Sequence, residues 1–209
     1  MIYLDNNSTT KVLDEVRLEM LKYLSKEYGN PSNKYYSLAT NAKLALDSAR
    51  LNVAKLFGCD ADEVIFTSGS TESNNMALKG LADVTHKKHL IVSKIEHPSI
   101  LETAKYLERK GYKVTYLDVD TNGLIDVNDL SQHITSETFL VSIMWVNNEI
   151  GSINDINKIA KICHNKNIYF HVDATQAVGK IDVNLPIGVT SASFSGHKIY
   201  GPKGVGALI

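Results

Sequence analysis

An α/β architecture, a mainly parallel sheet covered by helices on both faces, is predicted by three features of this 209-residue chain. Short apolar runs alternate with helical stretches of roughly ten to fifteen residues, the pattern of strands joined by crossover helices. The runs are apolar throughout, so they read as strands buried on both faces. Polar clusters follow their carboxyl ends, where open parallel sheets hold ligands.

The elements follow in order. Leu13, Val16, Met20 and Leu24 recur at helical spacing, as do Leu38, Ala42, Ala45, Ala49, Val53 and Leu56, so two amphipathic helices open the chain. Strands are expected at Val64 to Phe66, Leu90 to Val92, Val114 to Leu117, Phe139 to Ile143 and Ile168 to Val172. A further apolar stretch runs from Ser191 to Phe194. The last, Val205 to Ile209, is expected to leave apolar surface exposed.

The composition, 44% hydrophobic and 22% charged, is that of an ordinary globular protein, and the four scattered prolines mark no internal boundary. One large domain over residues 1–209 is therefore expected. With 22 basic and 23 acidic side chains, no long-range field favours nucleic acid or an anionic membrane, so neither is expected as a partner. The start lacks a basic, then apolar leader, and no run approaches the roughly eighteen apolar residues of a membrane span, so the expected location is cytoplasmic. Cys59 and Cys163 are too few for a disulfide framework and read as structural. No histidine or cysteine spacing suits a metal, so none is expected. His86, His89, His133 and His164 are expected at the surface, and His171 as a hydrogen-bonded core residue.

Five strand ends carry polar clusters. Thr67-Ser68-Gly69-Ser70-Thr71-Glu72 precedes a helical segment from Ser73 to Gly80. It reads either as a cup for phosphate, with free backbone N–H groups and hydroxyls at a helix start, or as a plain capping box. Glu96-His97 precedes Pro98 at a strand-to-helix turn, where His97 can stack on a ring or serve as acid or base. Asn147-Asn148-Glu149 follows Ile143. Asp173 reads either as the acid beside a pyridinium nitrogen or as a helix N-cap. Lys198, in Ser195-Gly196-His197-Lys198, reads either as a Schiff-base lysine in a sheltered site or as a solvated one. Pro202 and Lys203 after Gly201 exclude a P-loop, and Gly204-Val205-Gly206 fails as a dinucleotide fingerprint.

Taken together, Tyr3 to Thr10, Gly29-Asn30-Pro31-Ser32, Phe66 to Asn74, Glu96-His97, Val146 to Gly151, His171 to Gln176 and Ser193 to Gly206 resemble the cysteine desulfurases. These belong to the class V aminotransferase-like group of fold-type I enzymes that use pyridoxal 5′-phosphate (PLP). The resemblance covers the whole chain and implies a three-layer large domain with a seven-stranded sheet whose last strand is Gly204 to Ile209. It implies that Lys198 holds the cofactor and shuttles the substrate's proton, with His97 stacked on the ring and a second catalytic residue. Asp173 would pair with the ring nitrogen, Gln176 with the phenolic oxygen, and Asn148 would lie beside the ring and the substrate carboxylate. Ser70, Thr71, Ser195 and His197 would hold the phosphate.

The activity so implied converts L-cysteine to L-alanine, with sulfur passed through an enzyme persulfide to an acceptor such as an iron-sulfur scaffold protein, in a homodimer. A selenocysteine lyase-like enzyme and a non-catalytic PLP-binding remnant or subunit are the alternatives. In the family, a carboxyl-terminal small domain carries the nucleophilic cysteine and the arginine that grips the substrate carboxylate. Residues 1–209 are thus expected to be the PLP-binding large domain, truncated before that small domain, with no independent turnover. Tyr35-Tyr36-Ser37 stands where the family often has a histidine near a serine.

Overall fold

The computed structural model describes residues 2–209. Seven strands form one sheet in the order β1-β7-β6-β5-β4-β2-β3. They are β1 (Ile65–Thr67), β2 (His89–Ser93), β3 (Lys113–Leu117), β4 (Thr138–Ser142), β5 (Tyr169–Asp173), β6 (Ser191–Ser195) and β7 (Gly206–Leu208). From β3 through β6 every pairing is parallel. β7 alone runs antiparallel to its neighbours, pairing with both β6 and β1.

Because successive strand residues face opposite sides, Leu90, Val92 and Leu140 join one core while Ile91 and Val141 join the other. Helices α3 (Ser70–Asp83) and α4 (Pro98–Arg109) supply the first, through Ala77, Leu78, Ile100, Ala104 and Leu107. The end of α2 (Ser37–Phe57) and helices α5 (Val127–His133) and α6 (Ile156–Asn165) supply the second, through Phe57, Leu130, Ile156 and Ile159. The expected three layers are therefore present. α2 stops where Gly58 turns left-handed at φ 70°, and Cys59 N then bonds back to Ala54 O at 3.1 Å.

Three expectations are corrected. The final apolar run is not exposed: β7 is inserted between β1 and β6, with Gly206, Ala207 and Leu208 buried. The exposed apolar surface lies instead at the opening helices, since α1 (Asp14–Ser25) buries no residue and Leu18, Leu24 and Leu44 are more than half exposed. β1 is an edge strand with Ile65 exposed, because only β7 pairs with it. His89 is not at the surface. It heads β2 and bonds Thr138 Oγ1 at 2.7 Å and Thr115 Oγ1 at 2.9 Å on the flanking strands.

Two glycines separate packing from propensity. A Cβ on Gly206 would meet Phe194 O, and would lie 2.7 Å from Gly69 Cα, so the β7 backbone passes too close to β6 and the α3 start for any side chain. A Cβ on Gly80, inside α3, meets nothing. Gly206→Ala should destabilise the protein by about 1–3 kcal/mol through overpacking. Gly80→Ala should stabilise it by about 0.5–1 kcal/mol through helix propensity. Urea unfolding of the two variants checks both signs.

Candidate active site

The carboxyl ends of β2, β4, β5 and β6 and the start of α3 surround one cavity of about 750 Å³. Of the residues singled out in the sequence, Ser70, Thr71, His97, Asn148, Asp173, Gln176, Ser195, His197 and Lys198 all line it. Neither cysteine does.

Each wall has a local cause. Gly69 N-caps α3, which begins at Ser70, earlier than the expected Ser73. The Ser70 N–H donates to Ser195 Oγ at 2.8 Å, and Ser195 Oγ donates to Ser70 Oγ at 3.0 Å, tying the helix start to the end of β6. Glu72 reaches back to accept from Ser68 N at 2.6 Å, one residue before the cap, so it does not close a capping box. With Gly69 at the cap and no side-chain cap bond, the plain capping-box reading does not hold, and the helix N-terminus is open to the cavity. Opposite, His97 N-caps α4, its Nδ1 accepting from Ser99 N at 3.1 Å, with Pro98 at the first helical position.

Lys198 ends the short 3₁₀ turn Gly196–Lys198 that follows β6. Its amine donates to Asn7 O at 2.6 Å and Ser8 O at 2.7 Å, so it is held at the cavity wall. Partial burial lowers its pKa, against the opposing pull of Asp5, Asp173 and Glu149. A sheltered amine biased towards its neutral form is the requirement for a nucleophilic lysine.

Asp173 closes β5 almost fully buried. Oδ1 accepts from Thr175 N at 3.0 Å in a turn, with no helix after it to cap, and Oδ2 accepts from Asn74 Nδ2 at 2.9 Å. His171, two residues earlier, is fully buried and bonded to Ser191 Oγ and Asn74 Oδ1, as expected of a core histidine. Burial brings its pKa down to about 4 despite Asp173, so the ring is neutral. Gln176 donates from Nε2 to Asn7 O at 2.9 Å while Lys180 Nζ holds its Oε1, so the carboxamide has one orientation.

Several residues at the site received no role from the sequence. The segment Asp5 to Thr10 is laid along the cavity by main-chain bonds, Thr10 N to His197 O at 2.9 Å and Leu13 N to Tyr200 O at 3.1 Å. Asn74 joins four side chains at the heart of the site. Its signal was available: with Ser70, Ser73, Ala77 and Leu78 it occupies the buried stripe of α3, where an amide is out of place without partners. Lys180 was invisible because its role depends on a turn, not a helix.

The residues fit PLP by their chemistry. The N–H groups of Thr71 and Glu72 at the α3 start have no partner among the described residues and suit an anion. The buried hydroxyl of Thr175 also lacks a partner. A carboxylate and a depressed lysine share the same space. Among the described residues, no group of three or more His, Cys, Asp or Glu is arranged to hold a metal.

One buried acid at this rim sets a pH dependence. Glu96 Oε1 accepts from Ser93 Oγ at 2.5 Å and Met144 N at 3.0 Å, while Oε2 has no partner. Burial pushes its pKa from 4.5 up to about 8; those two bonds oppose the shift and Asp173 adds to it. The unfolded chain releases this proton more readily, so the stabilisation is complete below about pH 4.5 and is lost as pH rises through about 8. Urea unfolding across that range should show a falling stability in the parent chain and a flatter profile in Glu96→Gln. An unchanged slope would refute the assignment.

Comparison with known proteins agrees with this geometry. Residues 2–209 match the aminotransferase class-V family. The chain is 50% identical over 212 residues to the cysteine desulfurase IscS of Buchnera aphidicola subsp. Acyrthosiphon pisum (strain 5A), covering 99% of this chain and 52% of that protein. Among solved structures, a NifS-like protein superposes with a TM-score of 0.93 at 42% identity, over 99% of this chain and 58% of that one. A structure described as SspA in complex with cysteine gives 0.96 at 39% identity, over 100% of this chain and 60% of that one. The chain thus spans about half the length of the curated relatives it matches. With a family match running from residue 2 to residue 209 and the site residues gathered at one rim, the chain belongs to the aminotransferase class-V family.

Proposed function

We propose that residues 1–209 are the PLP-holding large domain of a cysteine desulfurase, which takes sulfur from L-cysteine, releases L-alanine and passes the sulfur on as a persulfide. The observation that carries the reading is that the Lys198 amine, the Asp173 carboxylate and the open N-terminus of α3 line one cavity. Its substrate is supported by the relative solved with cysteine. A homodimer, a sulfur-acceptor protein such as an iron-sulfur scaffold and a cytoplasmic location complete the proposal. Among the described residues, no helix is long and apolar enough to cross a membrane.

Bound PLP supplies an electron sink conjugated to the amino-bearing carbon of the substrate. Lys198 would hold it through Nζ and would move the proton at the substrate's Cα. Asp173, held by Asn74 and Thr175, keeps a proton on the ring nitrogen. Gln176, with its oxygen turned to Lys180, presents Nε2 as a donor to the phenolic oxygen. His97 would cover the ring, and Asn148 would lie beside the ring and the substrate carboxylate. Ser70, Thr71, Ser195 and His197 bind the phosphate at the α3 start.

The sulfur-accepting thiolate comes from outside these residues in this reading. Cys59 is raised in pKa by burial, with Glu63 and Asp60 adding to it, and Cys163 is fully buried with its thiol pushed up to about 12. A thiol with a raised pKa and no access to the cavity is a poor nucleophile there.

Two outcomes test the proposal. Purified protein mixed with PLP should develop a visible absorbance band, and borohydride should fix the cofactor on the Lys198 peptide by mass spectrometry. Retention of the band by Lys198→Ala overturns the assignment. With L-cysteine the chain alone should release no sulfide above the free-PLP background. Robust release dependent on Cys59 or Cys163 would contradict the source proposed for the thiolate.

A further inference from the structure

A chain of hydrogen bonds joins the acid at the end of β5 to the histidine at the start of α4, and its donors and acceptors can be assigned from one end. Asp173 Oδ2 is a carboxylate oxygen, which accepts and does not donate, so the atom of Asn74 2.9 Å away is the amide nitrogen. Asn74 Oδ1 is thereby fixed on the other side. It accepts from Ser193 Oγ at 2.5 Å and from His171 Nε2 at 2.9 Å, which places the His171 proton on Nε2. His171 Nδ1 is left to accept from Ser191 Oγ at 2.8 Å.

The second proton of Asn74 Nδ2 goes to Ser99 Oγ at 2.8 Å. That hydroxyl, having accepted from Asn74, points its own proton at His97 Nδ1, also 2.8 Å away. His97 Nδ1 further accepts from Ser99 N. A nitrogen taking two hydrogen bonds carries no proton, so a neutral His97 is protonated on Nε2. Asn74, His171 and Ser193 are wholly buried, and Asp173 and Ser99 nearly so, which removes competing water.

We propose that Asn74 is a positioning residue through which Asp173 sets the tautomers of both histidines, and that Ser99 transmits this to His97, leaving His97 Nε2–H directed at the cavity as a donor. In this tautomer His97 cannot take a proton at Nε2. It can donate a hydrogen bond or cover a ring, and the proton at the substrate's Cα falls to Lys198. The relay is a property of the protein alone; its bearing on catalysis rests on the PLP reading above.

Nitrogen-15 NMR of the histidine rings in the whole chain, without cofactor, tests it. His97 should show an unprotonated Nδ1 and a protonated Nε2. Ser99→Ala should lower the His97 tautomer ratio about fivefold, the loss of one ordinary hydrogen bond, and leave His171 unchanged. Asn74→Ala should move both rings. A parent His97 protonated at Nδ1, or a Ser99→Ala signal identical to the parent's, overturns the proposal. Should Asn74→Ala fail to fold, Ser99→Ala decides alone. PLP absorbance of the same samples keeps the two readings apart: the expected tautomer without a band sinks only the cofactor assignment, and a band with the wrong tautomer sinks only the relay.

Discussion

The 2.9 Å bond between Asn74 and Asp173 joins the fold to the site. A carboxylate taken out of water costs several kcal/mol unless its oxygens find donors. Here one donor comes from the turn that follows β5 and the other from a helix that crosses the sheet. The acid can remain inside only while α3 lies across β5 and β6 at this height and rotation. The same placement brings the α3 amino end over Ser195 and the remaining Asn74 proton to Ser99. Cup, acid and histidine thus share one constraint, the seating of a single helix.

The sheet explains why that seating is reproducible. Four consecutive parallel pairings from β3 to β6 put every strand's carboxyl end on the same side. Side chains with little in common in sequence, from His97 to Lys198, converge there because the topology leaves them no other exit. The amino-terminal segment then closes the rim through carbonyl groups. Asn7 O alone accepts from both Lys198 and Gln176. The wall nearest the lysine is thus made of backbone, whose position depends on the turn after β6.

Much of this is legible in the sequence. Strands buried on both faces leave uninterrupted apolar runs, and a polar cluster after each run is hard to produce by chance, so the rim residues were readable. What escaped has physical causes. The resemblance places β7 as the seventh strand, but its insertion between β1 and β6 escapes because periodicity says nothing about pairing partners, and that insertion depends on glycine contacts across the sheet. His89 was misjudged because the two threonines that satisfy it lie on other strands. Asn74 lay on a core stripe, but its four partners come from three separate parts of the chain. Buried polar groups are placed by their partners, and those partners are distant in sequence.

The antiparallel insertion of β7 also orders events during synthesis. β1 emerges early, yet its sole strand partner consists of residues 206–208, about 140 positions later. A nascent chain can pair β2 through β5 as each leaves the ribosome, while β1 and the amino end of α3 wait unattached. Closing so long a loop is slow, because its entropy is lost before the contacts return anything. The amino end of α3 is therefore the last part of this sheet to be tied down, and until then the unpaired β1 is open to the wrong neighbour.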